Sequence, residues 1–316
     1  MFYVVRILLT GATGFIGKAV RKRLDNHAVR LTSRRDQSGS ADEFFVKAMS
    51  SMEDFSDCLD NIDVVIHMAA RVHQMNDKSE DPLSEFMEIN CFGTLNLARQ
   101  AVKAGVKRFI FLSSTKVNGE KTAPGIPFRF DDIPLTTDPY GVSKAEAESG
   151  LLKMAEETSL EVIIIRPPLV YGPGVKANFQ SLMRLSQRNL PLPLGALNNK
   201  RSFVGLDNLV DLINICVDHP NAINKIFLIS DDSDISTSAL LTLMADAFGF
   251  KSRLLDVSPR LLKLAGRMLG KESIVDRLCD NFQVDIGHTK DTLGWEPPVS
   301  MMEGIRLCAM HLRDGH

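Results

Sequence analysis

Tyr140 and Lys144 lie four residues apart at the start of a stretch, 140–158, that has a helical pattern. Residues four apart project from one face of a helix, so the phenol and the ammonium are expected to be neighbours. An adjacent ammonium favours the phenolate and lowers the pKa of a tyrosine from its usual value of about 10. A tyrosine tuned in this way can exchange a proton with a substrate oxygen while a hydride moves at the attached carbon.

A serine supplies the third group of this candidate catalytic set. Ser114 ends an apolar run that begins at Phe109, in a predicted central strand. Hydroxyls at the carboxyl end of such a strand lie where ligands bind in an open α/β sheet. We therefore expect Ser114 to hydrogen-bond the same substrate oxygen and hold it against Tyr140. The alternative is an ordinary turn residue at a strand end.

A glycine-rich turn, TGATGFIG at 10–17, follows the first apolar strand and opens a helix. Gly11 permits the tight turn, Gly14 lets backbone amides approach a pyrophosphate, and Gly17 allows the helix to pack close to the strand. The helix N-terminus then offers unpaired N–H groups to the phosphates. The predicted dinucleotide-binding residues in this turn are Gly11, Thr13, Gly14, Phe15, Ile16 and Gly17. The alternative is a tight strand–helix turn without a ligand.

The end of the second strand bears on the choice between NAD and NADP. An acid there would hydrogen-bond the adenosine ribose, whereas an arginine would favour the 2′-phosphate. The sequence has Ser33, Arg34 and Arg35 at this point and no acid before Asp36. These three residues join the predicted cofactor site, and NADP(H) is favoured over NAD(H). Two solvated loop arginines are the alternative interpretation.

The elements that must position these groups alternate strand and helix through the first half. Predicted strands are 3–10, 28–33, 43–47, 62–67, 107–113 and 160–166, and predicted helices are 15–26, 83–104 and 140–158. Such alternation with nearly continuous apolar strands indicates a parallel sheet covered on both faces. The predicted fold class is therefore α/β, a Rossmann doubly wound parallel sheet with a smaller, irregular C-terminal substrate lobe.

Beyond Arg166 the pattern becomes less regular. Helices are predicted at 207–218 and 236–248 around a strand at 225–230, followed by a helix at 259–280 that breaks near Gly270. Because the strand at 225–230 is expected to rejoin the first sheet, the two domains interleave. The dinucleotide-binding domain is predicted at 1–166 plus about 203–230, and the smaller substrate lobe at about 167–202 and 231–316.

Composition excludes several classes of protein. The chain has 316 residues, 44% hydrophobic and 24% charged, as globular proteins do. Its formal net charge of −2 predicts no general attraction to nucleic acid or to an anionic membrane. No apolar run approaches the ~18–20 residues of a membrane span, and the N-terminus lacks the features of a signal peptide. The five scattered cysteines favour neither a metal site nor disulfides, so the predicted location is cytoplasmic.

With these motifs in order, the chain resembles the extended short-chain dehydrogenases/reductases, in particular the NAD-dependent epimerase/dehydratase family that acts on nucleotide sugars. The resemblance covers essentially the whole length. The matching motifs are TGATGFIG at 10–17, HMAA at 67–70, Asn90 with Gly93-Thr94, Ser114, YxxxK at 140–144, RPPLVYGPG at 166–174, RSFV at 201–204 and DNLVD at 207–211. Their order along the chain is far more specific than any one motif.

The resemblance implies further site residues. The implied cofactor residues are Met68, Ala69, Ala70, Asn90, Pro167 and Val170, together with Lys144 at the nicotinamide ribose. The implied contacts to the nucleotide diphosphate of the substrate are Asn178, Arg201 and Arg277, each of which has an ordinary surface role as its alternative. Dimers built from the helices at 83–104 and 140–158 are common in the family, so a homodimer is a further expectation.

Departures from the family pattern narrow the reaction. Members that dehydrate the sugar carry an acid pair after the catalytic hydroxyl residue, where this chain has Thr115-Lys116. The familiar VYG is Val117-Asn118-Gly119 here, which changes one wall of the sugar pocket, and the acid that often holds adenine is missing from 46–50. The segment around Asn118 resembles proteins of bacterial polysaccharide gene clusters, including 4-ketosugar reductases.

The leading hypothesis is hydride transfer at C4 of a UDP-hexose or UDP-N-acetylhexosamine. In a 4-ketosugar reductase of bacterial polysaccharide biosynthesis, NADPH reduces the sugar and leaves oxidised. In a 4-epimerase of UDP-glucose or UDP-GlcNAc, retained NAD takes the hydride and returns it to the other face. Arg34 and Arg35 favour the reductase. The remaining hypotheses are a non-catalytic dinucleotide-sensing protein and a reductase of hydroxysteroids or flavonoid-like ketones.

Overall fold

The structure, a computed structural model of the chain, describes residues 4–35, 37, 44–72 and 81–314. Asp36 and the first residues of the predicted strands 3–10 and 43–47 lie outside these ranges. The strands within them are β1 (Arg6–Thr10), β2 (Ala28–Ser33), β3 (Phe44–Val46), β4 (Val64–His67), β5 (Arg108–Leu112), β6 (Glu161–Arg166), β7 (Leu169–Tyr171), β8 (Phe203–Gly205) and β9 (Lys225–Leu228).

Seven of these described strands form one parallel sheet in the order β3-β2-β1-β4-β5-β6-β9. Ile7 of β1 pairs with Val29 of β2 on one side and with Val64 of β4 on the other. The strand order reverses between β1 and β4, and ligands bind at such a switch point. The predicted doubly wound α/β fold is confirmed, and the strand predicted at 225–230 joins the sheet beside β6.

Alternate residues of the central strands enter two different hydrophobic cores. Ile7 and Leu9 pack in one cluster, whereas Leu8 between them packs in the other. In β5, Ile110 and Phe111 divide between the clusters in the same way. Successive side chains of a strand point to opposite faces, so each cluster covers one face of the sheet. All of β5 is buried, as expected for a strand of a parallel sheet with helices on both sides.

The helices pack on both faces of this sheet and beyond it. Within the described ranges they are α1 (Phe15–Arg23), α2 (Ser56–Leu59), α3 (Pro82–Phe86), α4 (Gly93–Lys103), α5 (Pro139–Glu157), α6 (Ala177–Gln187), α7 (Leu206–Cys216), α8 (Thr237–Ala247), α9 (Pro259–Met268), α10 (Glu272–Cys279), α11 (Gly287–Leu293) and α12 (Met301–Asp314). The predicted break near Gly270 is confirmed, since α9 ends at Met268 and Gly270 has a left-handed φ of 65°. None of these helices combines the length and the apolar composition of a membrane span.

The helix predicted at 83–104 consists of three consecutive segments. The π-helical segment Met87–Phe92 separates α3 from α4. A Cβ on Gly93 would lie 2.9 Å from the amide nitrogen of Ser50, so glycine lets α4 pass close to the loop after β3. A π-helical turn shifts the side-chain register inside a helix, and the spacing of apolar residues does not reveal it.

A third hydrophobic core, which we call the outer core, lies beside the sheet. It includes Tyr171, Met183, Phe203, Leu241 and Met301, which come from β7, α6, β8, α8 and α12. β7 and β8 pair in parallel as a separate two-stranded sheet. The sequence analysis did not predict β7, β8, α2, α6, α11 or α12. β7 and β8 are three residues long and have no periodic pattern, whereas α6 and α12 are 11 and 14 residues long, and their apolar spacing was an available signal that the sequence analysis did not use. The boundaries of the two interleaved domains stay a prediction.

Candidate active site

The glycine-rich turn between β1 and α1 is closed by contacts that only glycine permits. Gly11 has a left-handed φ of 74°, and a Cβ on it would lie 2.8 Å from the amide nitrogen of Ala69. A Cβ on Gly17 would overlap the carbonyl oxygen of Gly11. The turn therefore packs tightly against α1 and against the turn after β4, in agreement with the glycine pattern.

The first turn of α1 offers backbone donors. The helix begins after Gly14, and its first hydrogen bond runs from the Lys18 amide to the Gly14 carbonyl at 3.1 Å. The amides of Phe15, Ile16 and Gly17 precede that bond and have no partner within the helix. No acidic side chain occupies this turn, all of which is described, and both Thr13 and Gly14 are exposed. These donors and close-packed glycines fit the pyrophosphate of a dinucleotide.

A buried chain of hydrogen bonds connects β1, β4 and the helix at 87–103. The Thr10 hydroxyl accepts from the amides of the two residues after His67, each at 3.1 Å, and donates to His67 Nδ1 at 2.7 Å. His67 Nε2 lies 2.9 Å from the Thr94 hydroxyl, which donates to the Asn90 carbonyl at 2.7 Å. Since that hydroxyl hydrogen is already used, Nε2 must carry the histidine proton.

His67 is neutral as well as fixed in one tautomer. Its side chain is fully buried, and burial together with the charge of Lys144 lowers its pKa to about 3. A neutral ring satisfies both threonine hydroxyls at no cost in buried charge. The histidine thereby positions the turn of Met68, Ala69 and Ala70, which the family resemblance assigns to the cofactor.

Asn90 holds the same turn from the other side. Its Oδ1 accepts from the Arg71 amide at 2.8 Å, and its Nδ2 donates to the Arg71 carbonyl at 3.0 Å and to the Ser143 hydroxyl at 3.1 Å. Asn90 was expected to bind the cofactor directly. Protein groups accept both of its amide hydrogens, so Asn90 positions the turn against α5, and its contact with the cofactor stays a prediction.

Tyr140 and Ser114 are brought together, as predicted. Asp138 caps α5 by accepting from the Gly141 amide at 3.0 Å, and its second oxygen accepts from the Lys116 ammonium at 3.1 Å. Tyr140 follows in the first turn of α5, where its side chain shares a hydrogen bond with that of Ser114. The ion pair thus ties the start of α5 to the short turn that carries Ser114.

The expected lowering of the Tyr140 pKa is not what the structure shows. Burial and the carboxylate that caps α5 raise this pKa to about 12, and the hydrogen bond with Ser114 opposes them. Lys144 does not reverse the shift, because its Nζ donates to the Leu112 carbonyl at 2.9 Å and lies 4.3 Å from the ring centre of Phe111. Helical spacing predicted the shared face but not the strand carbonyl that takes the ammonium.

Lys144 is a buried cation, with 1% of its surface exposed. Burial lowers its pKa to about 7, and the negative charge of Glu148 opposes this shift. Tyr140, Lys144 and Glu148 stand at successive four-residue steps on one face of α5, so this face presents a phenol, an ammonium and a carboxylate to the sheet.

Glu148 and Arg166 form a buried ion pair that the sequence analysis missed. Arg166 Nη2 donates to Oε2 at 2.6 Å, and both residues are 3% exposed. The Ser113 hydroxyl also donates to Glu148, and Arg166 Nη1 donates to the Asn118 side chain at 3.2 Å. Glu148 thus links α5 to Ser113, which follows β5 and precedes Ser114, and to Arg166, which ends β6. Glu148 lies one helical turn beyond Lys144, and this spacing could have indicated that its carboxylate faces the same buried site.

Arg201 holds the end of α10. Its Nη1 donates to the carbonyl oxygens of Arg277 at 2.7 Å and Asp280 at 3.2 Å. Its guanidinium lies 5.9 Å from the ring centre of Phe203 and 5.8 Å from that of Phe282. The structure thus brings Arg201 to the backbone of Arg277, and Arg201 has a structural role whether or not it contacts a ligand.

The other predicted residues lie as follows. Asn178 is exposed in the first turn of α6. Ser33 is buried at the end of β2 and accepts from the Arg35 amide at 3.2 Å, whereas the side chains of Arg34 and Arg35 are exposed. The Pro167 carbonyl accepts from the Thr115 amide at 3.0 Å, which sets the turn before β7 beside Ser114, and Val170 is half-buried in β7. Their ligand contacts stay predictions.

Residues 7–230 match the NAD dependent epimerase/dehydratase family. The chain belongs to this family. The matched range contains the glycine-rich turn, the Ser114–Tyr140–Lys144 group and the sheet through β9. The predictions of an extended short-chain dehydrogenase/reductase and of an enzyme are confirmed.

Individual relatives cover between about three quarters and nearly all of the chain. The UDP-glucose 4-epimerase of Vibrio cholerae is 49% identical over 311 residues, which are 96% of this chain and 94% of that protein. The GDP-6-deoxy-D-mannose reductase of Pseudomonas aeruginosa is 27% identical over 256 residues, 77% of this chain and 78% of that protein. The solved structure of MoeE5 in complex with UDP-glucose and NAD is 25% identical, with a TM-score of 0.77, and covers 98% of this chain and 99% of MoeE5.

These likenesses change two expectations. The relative with the higher identity and fuller coverage is an epimerase, so the 4-epimerase alternative is better supported than the 4-ketosugar reductase that Arg34 and Arg35 favoured. The expected preference for NADP(H) finds no support, since MoeE5 is complexed with NAD and the family is described as NAD dependent. Binding of a nicotinamide dinucleotide follows from membership of the family.

Proposed function

We propose that this chain is a 4-epimerase that interconverts UDP-glucose and its C4 epimer. The observation that carries the proposal is the meeting of Ser114, Tyr140 and Lys144 at the ends of β5 and α5, in a chain that shares 49% identity with a UDP-glucose 4-epimerase. A phenol that is hydrogen-bonded to a serine hydroxyl at the end of a strand suits proton exchange with a sugar hydroxyl.

In this proposal the residues at the switch point of the sheet would hold the dinucleotide. The amides of Phe15, Ile16 and Gly17 would hold its pyrophosphate, and the turn positioned by His67 and Asn90 would line the neighbouring wall. When bound there, the dinucleotide would supply reversible hydride acceptance at C4 of the sugar.

Tyr140 and Ser114 manage the proton at O4. The Ser114 hydroxyl holds O4 beside the phenol, and Tyr140 removes the O4 proton as the hydride leaves C4 and restores it when the hydride returns. With its pKa raised to about 12, the phenol requires a positive charge nearby to give up its proton near neutral pH. Lys144 does not lower this pKa in the structure described above, and we propose that it supplies the required charge, from one helical turn away on the same face of α5, once ligands fill the site.

Epimerisation is supported over elimination of water by the residues that follow Ser114. The Thr115 hydroxyl donates to the Arg166 carbonyl at 3.1 Å, and Lys116 pairs with Asp138. Both side chains therefore support the scaffold, and neither is a carboxylic acid that could protonate a leaving hydroxyl.

NAD is the proposed cofactor, held through successive turnovers. An epimerase takes a hydride and gives the same hydride back, so it has no need to exchange its dinucleotide for a fresh reduced one. Arg34 and Arg35 remain suitable partners for a 2′-phosphate, because both side chains are exposed beside the end of β2. The identity of the bound dinucleotide is therefore part of the test below.

The remaining assignments also belong to the proposal. Arg201 and Arg277 would contact the diphosphate of the sugar nucleotide, with Asn178 at the start of α6. All five cysteines are free, which suits a reducing cytoplasm. A homodimer through α4 and α5 is proposed on the family resemblance.

The decisive assay incubates purified protein with UDP-glucose and no added reductant, and follows the C4 configuration by proton NMR. We expect interconversion without net oxidation, and NAD as the dinucleotide found by mass spectrometry of the purified protein. UDP-GlcNAc in the same assay tests the N-acetyl substrates. If the protein instead consumes NADPH stoichiometrically with a UDP-4-keto sugar and does not interconvert the two epimers, it is a 4-ketosugar reductase and the epimerase proposal is wrong.

A further inference from the structure

Helix α9 turns a stripe of apolar side chains to solvent. Leu261, Leu264 and Met268 stand at i, i+3 and i+7 and are 60%, 55% and 81% exposed. The opposite side of the helix already faces the protein, since Leu262 packs on the outer core and Gly266 is buried against α10. In a helix on a globular surface the apolar stripe normally faces the core and the outer face is polar. The outward stripe of α9 needs another explanation.

The stripe continues across the turn into α10. Leu269 is 72% exposed and Ile274 is 49% exposed, on either side of Gly270. We call Leu261, Leu264, Met268, Leu269 and Ile274 together the α9–α10 apolar surface. Exposed apolar side chains grouped in this way mark sites of interaction with a partner or a membrane.

The segment that carries this surface has an excess of cations. Residues 259–277 contain five Lys and Arg residues but two acids, in a chain whose overall formal charge is −2. Lys263 pairs with Asp276 and Arg267 with Glu272, so both acids are already neutralised. The cationic excess is therefore carried by Arg260, Lys271 and Arg277, for which the described part of the chain provides no ion pair. Because Arg277 is assigned above to the substrate diphosphate, Arg260 and Lys271 are the cations that this surface offers to a partner.

We propose that the α9–α10 apolar surface docks this protein on an anionic lipid bilayer. The leucine and methionine side chains would enter the boundary between head groups and acyl chains, while the surrounding cations contact lipid phosphates. Such a contact is peripheral and spans nothing. It goes beyond the proposed epimerase and does not depend on it.

The charge of this surface favours an anionic lipid bilayer over a second copy of the chain as its partner. In a two-fold symmetric contact the same surface meets itself, so the cationic excess of one copy would face that of the other. Like charges at short range repel, and an anionic lipid surface instead neutralises each of them.

The test is flotation of the full chain with vesicles of phosphatidylcholine alone or mixed with phosphatidylglycerol. We expect binding to the mixed vesicles that weakens as salt is raised. The double variant Leu264→Gln/Met268→Gln should lose about tenfold or more in vesicle binding, because it removes apolar contact from exposed positions. The matched control is Ile133→Gln/Leu135→Gln, which changes side chains 79% and 77% exposed before α5 and should bind as the wild type does.

Several outcomes would overturn the proposal. One is a wild-type protein that floats with neither vesicle, and another is equal binding by the Leu264→Gln/Met268→Gln variant and the wild type. A third is an oligomer, measured without lipid by analytical ultracentrifugation, that this variant alone converts to monomers; the surface would then cover a second copy. Circular dichroism of the variant checks that α9 and α10 are retained.

Discussion

Nζ of Lys144 lies 2.9 Å from the carbonyl oxygen of Leu112, two residues before Ser114 on the same strand end. The proposed catalytic lysine is thus tied to the backbone that presents the proposed catalytic serine. This bond satisfies one of its three donors inside a buried site and fixes the ammonium relative to the sheet. The lysine therefore has two roles, as a charge near the phenol and as a link between α5 and β5.

Replacing Lys144 with alanine tests both roles. We expect Lys144→Ala to lose most activity, at roughly the 10²-fold level or more of a lost acid–base partner, and to retain less dinucleotide. The measurement pairs turnover with the dinucleotide content of the purified protein. The control is Lys153→Ala on the same helix, where the side chain is 72% exposed. Full activity in Lys144→Ala would remove this lysine from the site.

Tyr140→Phe removes only the phenolic oxygen. The ring keeps its edge contact with Phe86, whose centre is 6.0 Å away, so the start of α5 should be unchanged. Turnover should fall by roughly 10²–10⁴-fold, because the proton at O4 loses its acceptor. Single-turnover kinetics would measure the loss, and dinucleotide content should stay at the wild-type level. Normal turnover would mean that another group takes the proton.

Glu148→Gln breaks the buried ion pair with Arg166 and leaves the guanidinium unpaired. The free energy of unfolding should fall by about 3–5 kcal/mol, as when one partner of a buried pair is removed. Urea denaturation measures this change. The control is Glu157→Gln, which breaks an exposed pair with Lys153 and should cost less than about 0.5 kcal/mol. Equal losses in the two variants would contradict the structural role given to Glu148.

The neutral state of His67 predicts a dependence of stability on pH. Its pKa is about 3 in the folded protein against 6.5 for the free side chain, so the unfolded chain binds more protons between these values. The folded state therefore loses stability as pH falls from 6.5 toward 3, by up to about 1.4 kcal/mol per pH unit from this group.

His67→Gln isolates that contribution. The advantage in unfolding free energy of the wild type over His67→Gln should shrink between pH about 6.5 and 5, and urea denaturation at each pH measures it. A constant difference over this range would show that His67 titrates normally in the folded protein.

Arg34→Asp tests whether the end of β2 can hold a 2′-phosphate. Binding of NADP⁺ should weaken by about tenfold, since an exposed cation is replaced by an anion, while binding of NAD⁺ should change little. Titration of dinucleotide-free protein gives both affinities, with Lys22→Glu at the far end of α1 as the control. Unchanged binding of NADP⁺ would show that Arg34 does not face the adenosine ribose.

The sheet could be predicted from sequence because its elements have local signals. The continuous apolar runs of β5 and β6 and the glycines at 11, 14 and 17 each specify structure over a few neighbouring residues. The strands of the outer core have no such signal, since β7 and β8 are three residues long and pair with each other across more than thirty residues of chain, whereas α8 of the same core was predicted.

The same limit applies within the site. Spacing on one helix placed Tyr140 and Lys144 together, but their pKa values depend on burial and on Leu112 and Ser114, which are distant in sequence. Asn90 illustrates the limit from the other side. Its amide hydrogens are taken by Arg71 and Ser143, and no pattern of residue types shows such long-range bonds.

The return of the chain to add β9 beside β6 restricts how this protein can diversify. β7, α6 and β8 are built before the last strand of the sheet, so the outer core cannot be replaced at a single junction in the gene. A break after β6 would expose the Ile163–Ile165 strand as an unprotected edge, which invites aggregation. Changes in substrate range are therefore expected to arise by point substitution within an intact chain rather than by recombination of modules.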